Sequence, residues 1–196
     1  MTPHQQYIQS VIDKSLTSHS EFSAAFQFPI YLIPKEMIDL SKPPVNDEIV
    51  YWKAIPANIS DEEFVAFEST IGYPLPETYK AFLSYKYFIE LNFGHEACFF
   101  RHTASWSQDY YENISGIIKE ETFDVGYFPF ATNTDIGYFC FDTKNAAPDN
   151  EYRVVTYDRE YGIEAYPSTV GQFTFIDFIN ELEATLYEWE QRKNNS

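Results

Sequence analysis

The chain has 196 residues, room for one domain of ordinary size with an appendage. Hydrophobic residues make up 44% and aromatic residues 19%, which supplies a core and excludes global disorder. With 30 acidic and 13 basic side chains, the net charge of −17 repels phosphate backbones and anionic lipid surfaces, so neither direct nucleic-acid binding nor membrane binding is expected. A basic protein would be attracted and steered by the same field, although acidity also serves plain solubility.

In chain order, Thr2-Pro3-His4-Gln5 predicts a capped first helix, with Pro3 in its first turn and Gln5 reaching back. Ile8, Val11, Ile12 and Leu16 form its apolar stripe. Residues 28–33 read as a short edge strand, where Pro29 is tolerated. Residues 41–44 read as a linker, and residues 49–55 as a strand. Ser60 and Glu63 have the spacing of a capping box, with Ile59 and Phe64 placed as a hydrophobic staple. Phe64, Phe67 and Ile71 share a stripe, and Gly72 stands where a helix end needs positive φ. Pro76 is placed to be the first residue of a second helix, whose stripe is Tyr79, Phe82, Leu83 and Tyr87. Two short helices with one apolar face each must cover something, and the strands downstream are the candidate.

Residues 88–93 and 96–101 predict a hairpin bent at Gly94, and residues 105–118 contain a helical stretch. Residues 127–131 and 136–142 read as strands joined by the polar loop Thr132-Asn133-Thr134-Asp135. After a polar turn at 146–150, residues 152–157 and 163–166 complete the strands. Thr174 opens a last helix, with Phe175, Phe178, Ile179, Leu182, Leu186 and Trp189 on one face. Strands clustered between helices predict an α+β fold, an antiparallel or mixed central sheet covered by helices.

The run E-x-x-IG-x-x-LP-x-x-Y-x-x-FL from Glu68 to Leu83 resembles the SMI1/KNR4 family, or SUKH superfamily. FPFATNTDIGYFCFDTK at 128–144 and FIDFINEL at 175–182 fit the same pattern, so the resemblance runs from about residue 48 to 186. It divides the chain into an extension, 1–47, packed on or beside the main domain, and a family-like domain, 48–196. The resemblance implies a non-enzymatic domain. In bacteria such domains look like immunity proteins that bind and neutralise a toxin; a fungal relative is linked to regulation of cell-wall synthesis. A regulatory or scaffolding role is therefore the alternative.

Two cysteines, Cys98 and Cys140, make no disulfide framework and fit a reducing, cytoplasmic compartment. The stretch MTPHQQYIQSVIDKSL has no basic leader before an apolar core, so no signal peptide is expected, and no apolar run approaches membrane-spanning length. His95, Cys98 and His102 offer three ligand types within eight residues, but on a strand His95 points away from the other two, and no metal is expected. No nucleotide loop or nucleophile elbow is present, and no cofactor is expected. Glu120, Glu121 and Asp124, or Asp135 with Asp142, would serve as a glycosidase pair, but chance acid pairs are expected in so acidic a chain. The stretch that fits a docking face for a basic partner, a cognate toxin, holds Asp109, Glu112, Glu120, Glu121 and Asp124, with Tyr110, Tyr111 and Phe123 interleaved. The competing reading is a solvated helix and loop with the aromatics turned inward.

Overall fold

The computed structural model describes residues 1–20, 23–94, 96–133, 137–146, 150–165 and 173–194. The first helix, α1 (Pro3–Ser20), begins as its sequence dictates. The Gln5 N–H donates to Thr2 Oγ1 at 3.2 Å, and the Thr2 N–H to Gln5 Oε1 at 2.7 Å. Ile8, Val11 and Ile12 are buried. Strand β1 (Gln27–Pro29) pairs antiparallel with β2 (Ile49–Tyr51), and Ile30–Leu32 forms a tight 3-10 turn where a longer strand was expected. The expected strand over 49–55 is split. The Trp52 indole packs on Phe26 at 4.8 Å, and the Lys53 N–H turns to the Met37 carbonyl. The chain thereby leaves β1, and β3 (Ile55–Pro56) pairs instead with β4 (Lys86–Tyr87).

Helix α2 (Asp61–Ile71) carries the full capping box: the Glu63 N–H donates to Ser60 Oγ, and the Ser60 N–H to Glu63 Oε2. Gly72 ends it at φ +87°, a left-handed conformation that a side chain would strain. Helix α3 (Glu77–Leu83) follows. Pro76 is its extended cap, one residue earlier than expected, and Tyr87 falls in β4 instead of on the helix.

The main sheet then forms in sequence order. Strands β5 (Leu91–Phe93) and β6 (Ala97–Phe99) are a hairpin. Helices α4 (Trp106–Asn113) and α5 (Ile117–Glu121) intervene. Strands β7 (Tyr127–Asn133), β8 (Gly137–Ala146), β9 (Tyr152–Asp158) and β10 (Gly162–Ala165) complete a six-stranded antiparallel meander. Helix α6 (Phe175–Asn194) closes the chain. An antiparallel sheet with helices packed against it is an α+β fold. Strand β7 takes in Thr132 and Asn133, half of the expected polar loop. Thr134, Asp135, Ile136, most of the expected turn at 146–150, and Tyr166 lie outside the described residues.

Side-chain alternation gives the sheet two apolar faces. Phe128, Phe130, Phe139 and Phe141 meet the helices: Tyr79 lies 5.2 Å from Phe141, Phe130 5.6 Å from Phe175, and Phe139 4.7 Å from Phe178. The β7–β8 register shifts between Pro129 and Ala131, which leaves Ala131 opposite Phe139. The opposite face is smaller: Tyr138, Cys140, Val155 and Tyr157 are buried there, with Ile118 of α5 packed against them. The N-terminal stretch is tied to this body. Ser15 Oγ donates to the Asn92 carbonyl, and the Asp13 carboxylate accepts from the Tyr85 hydroxyl and from Lys86. Glu183 of α6 accepts from Tyr7 and Lys14. Burial opposes ionisation of Glu183, but those two donors outweigh it and hold its carboxyl below the usual range.

Candidate functional site

The acid-rich stretch lies on α4, α5 and the 3-10 turn Phe123–Val125. On α4, Trp106, Tyr110 and Ile114 recur every fourth residue and are buried. Trp106 meets Phe67 of α2 at 4.7 Å, and Tyr110 stacks on Phe128 with ring centres 4.4 Å apart and planes 6° from parallel. Tyr110 thus faces the core, and burial pushes its phenol well above the ordinary range. Asp109 is also turned in. Its carboxylate accepts the Thr103 N–H at 2.9 Å, the Thr103 hydroxyl at 2.6 Å and the Arg101 Nε–H at 3.0 Å. These bonds fasten the loop before α4 to the helix. Of the residues expected on an exposed face, Asp109 and Tyr110 are therefore internal, and Tyr111 is half-buried against Phe67 and Tyr110.

Four of the acids remain outside. Glu112 accepts from Arg101 at 2.5 Å and from Gln108 at 2.9 Å, and the Gln108 and Arg101 bonds hold its carboxyl below the usual range. Glu120 is exposed. Glu121 accepts from the Tyr157 hydroxyl, which anchors α5 to the sheet's second face; that bond, with burial, pushes the Tyr157 phenol up to about 12. Asp124 pairs with Lys119 at 2.5 Å, an exposed pair. Beside them stand two apolar side chains with much of their surface in water: Ile117 at 66% and Val125 at 49%. The expected anchors were aromatic; the exposed ones on this segment are aliphatic. Periodicity alone would put Ile117, three residues after Ile114, on the buried stripe of α4; the helix ends at Asn113, Gly116 starts a new one at φ +69°, and on it Ile117 is exposed.

The other constellations resolve separately. His102 is 3% exposed, and its Nε2 lies 2.7 Å from the Leu83 carbonyl. Since a carbonyl only accepts, the proton sits on Nε2. Burial depresses the His102 pKa to about 4 despite that bond. The space beside it, lined by Phe67, Leu75, Tyr79, Trp106 and Tyr110, is about 20 Å³, the scale of one water. Burial pushes the Cys98 thiol up to about 12, with Glu90 adding to it, and raises that of Cys140 as well, so neither is poised as a thiolate. His95 and Asp135 lie outside the described residues. Among the described residues, no three His, Cys, Asp or Glu side chains gather as metal ligands. Also among them, no helix is long and apolar enough to cross a membrane.

An antiparallel meander under a helical layer defines an α+β domain. The model of the SMI1/KNR4 family (SUKH-1) matches residues 58–181, more than half of the chain, and the chain belongs to that family. The match begins ten residues later than the motif pattern suggested and ends five earlier. Members are in general non-catalytic domains of the immunity-protein type that typically bind toxins. No curated protein matches the chain in sequence.

Proposed function

We propose that this protein is an immunity protein that neutralises a cognate toxin by covering the toxin's basic catalytic cleft, such as that of a nuclease. Family membership supports the class. The observation that carries the choice of surface is the exposed segment on which Glu112, Glu120, Glu121 and Asp124 flank Ile117 and Val125. Carboxylates steer a basic partner, and apolar side chains at the centre of a contact supply the anchoring energy once water is excluded. The mechanism needs no chemistry from this chain: the substrate is shut out by shape and field. Mixed with its cognate toxin domain, the protein should show association that slows as salt rises. Reversing Glu120, Glu121 and Asp124 to Lys should lower the association rate by at least about tenfold and flatten that salt dependence. An unchanged complex in the triple variant would show that this surface is the wrong one.

A further inference from the structure

The second face of the sheet runs unbroken from strand to strand. The register sets Cys98, Thr132, Tyr138, Tyr157 and Ile163 opposite one another in a row from β6 to β10, with Pro129, Cys140 and Val155 in the row beside it. Tyr138, Cys140, Val155 and Tyr157 are buried, although α6 lies against the other face. The side chain that α5 contributes to their cover is Ile118.

The segment that carries Ile118, residues 116–126, is bonded largely to itself. The Glu120 N–H donates to the Gly116 carbonyl, Thr122 to Ile118, Val125 to Thr122 and Gly126 to Phe123. Lys119 pairs with Asp124 inside the same unit. A glycine stands at each end. Gly116 has φ +69° and ψ −137°, a combination that glycine adopts and other residues rarely do, and Gly126 has φ +87°. The Gly126 carbonyl accepts the Thr143 N–H and hydroxyl, which pins that end to β8. The middle of the unit is held more lightly. Ile118 rests on the buried cluster, and the Phe123 ring meets the main core at its rim, 6.3 Å from Tyr110 and 6.4 Å from Phe128. The Tyr157 hydroxyl reaches up from the sheet and donates to Glu121.

We infer that residues 116–126 are a lid that swings on Gly116 and Gly126 and, when open, uncovers Cys140, Val155 and Tyr157 while the rest of the domain stays folded. The bond from Tyr157 to Glu121 is its latch. Lightly attached segments open locally at lower free energy than the whole fold, and a few pivot residues absorb the change in φ and ψ. The outer side of the lid carries Ile117, Val125, Glu120 and Asp124, so a partner docked there would bias its position. The inference itself concerns the free protein and stands or falls apart from the toxin reading.

The buried thiol of Cys140 reports the opening. It is labelled with methyl methanethiosulfonate in a Cys98→Ser background, from zero to sub-denaturing urea, and read by intact mass. The expected labelling rate is nearly flat at low urea, because the lid exposes little surface when it opens, and climbs only where global unfolding takes over. Tyr157→Phe and Glu121→Ala should each raise the flat rate by about fivefold, the worth of one net hydrogen bond. Ser60→Ala, which weakens the cap of α2, should leave the flat rate unchanged while speeding the global branch by about as much. Labelling that tracks global unfolding from the first addition of urea overturns the inference. So does a low-urea rate raised as much by Ser60→Ala as by the latch variants, or one that neither latch variant moves. If Cys98→Ser alters the circular dichroism spectrum or the melt, peptide mapping of the unsubstituted chain reads the same thiol.

Discussion

Acid should destabilise this fold through His102 well before its carboxylates protonate. The imidazole is 3% exposed and donates from Nε2 to Leu83, so the folded protein holds it neutral, with a pKa near 4 against 6.5 for a free side chain. The unfolded chain therefore takes up a proton that the folded chain refuses. The contribution to stability is complete above pH 6.5 and drains away as the pH falls toward 4. At about 1.4 kcal/mol per pH unit of separation, the loss reaches about 2 kcal/mol between about pH 7 and about pH 5, and about 3 kcal/mol in full. Relief of self-repulsion among the acids works in the other direction on acidification, so the measurement must be a difference. Urea unfolding of wild type and His102→Gln at about pH 7, 6 and 5 isolates it, because Gln can donate to the same carbonyl without titrating. The variant starts less stable, and the gap to wild type should close by about 2 kcal/mol on reaching about pH 5. Two curves that stay parallel over that range would refute a buried neutral histidine.

Other outcomes follow from single contacts. A Cβ on Gly137 would sit 1.7 Å from the Tyr157 carbonyl oxygen, so Gly137→Ala should prise β8 from β9. The cost is about 3 kcal/mol, read as a fall of about 6–12 °C in melting temperature; an unchanged melt contradicts the close approach. Asp109→Ala leaves the Arg101 Nε–H and the Thr103 N–H and hydroxyl without their acceptor and should cost about 2–4 kcal/mol in denaturant unfolding, whereas Glu112→Ala, at the open, solvated end of the same cluster, should leave the unfolding midpoint nearly unchanged. Equal losses at the two positions would contradict the burial of Asp109. Ser60→Ala removes a capping partner and should cost about 1 kcal/mol by the same assay, with no loss if the box is idle.

How far the sequence carried the reading depended on whether the deciding contacts were local. The α2–α3 pair was legible almost to the residue because its signals are local: Ser60 and Glu63 cap each other, Gly72 supplies positive φ, and Phe64, Phe67 and Ile71 recur at helical spacing. The aromatic strands were legible through their alternation. The stretch 49–55 was not, since its break depends on Trp52 meeting Phe26 and Lys53 meeting Met37, contacts made across a long loop. At the candidate site, composition drew attention to acids and aromatics together and passed over periodicity. Trp106, Tyr110 and Ile114 at intervals of four already marked the inward face of α4. No pattern within α4 announced the burial of Asp109, because its partners, Arg101 and Thr103, lie in the loop before the helix.

The meander and the two flanking helices carry a consequence for biosynthesis. Strands β5 to β10 pair with their immediate neighbours, so each hairpin can close as it leaves the ribosome. Helix α1 emerges first, yet Tyr7 and Lys14 bind Glu183 near the far end of the chain. Part of its apolar stripe finds cover once α3 and β5 have emerged, but the side that meets α6 waits for the last helix, and a chaperone has that long to claim it.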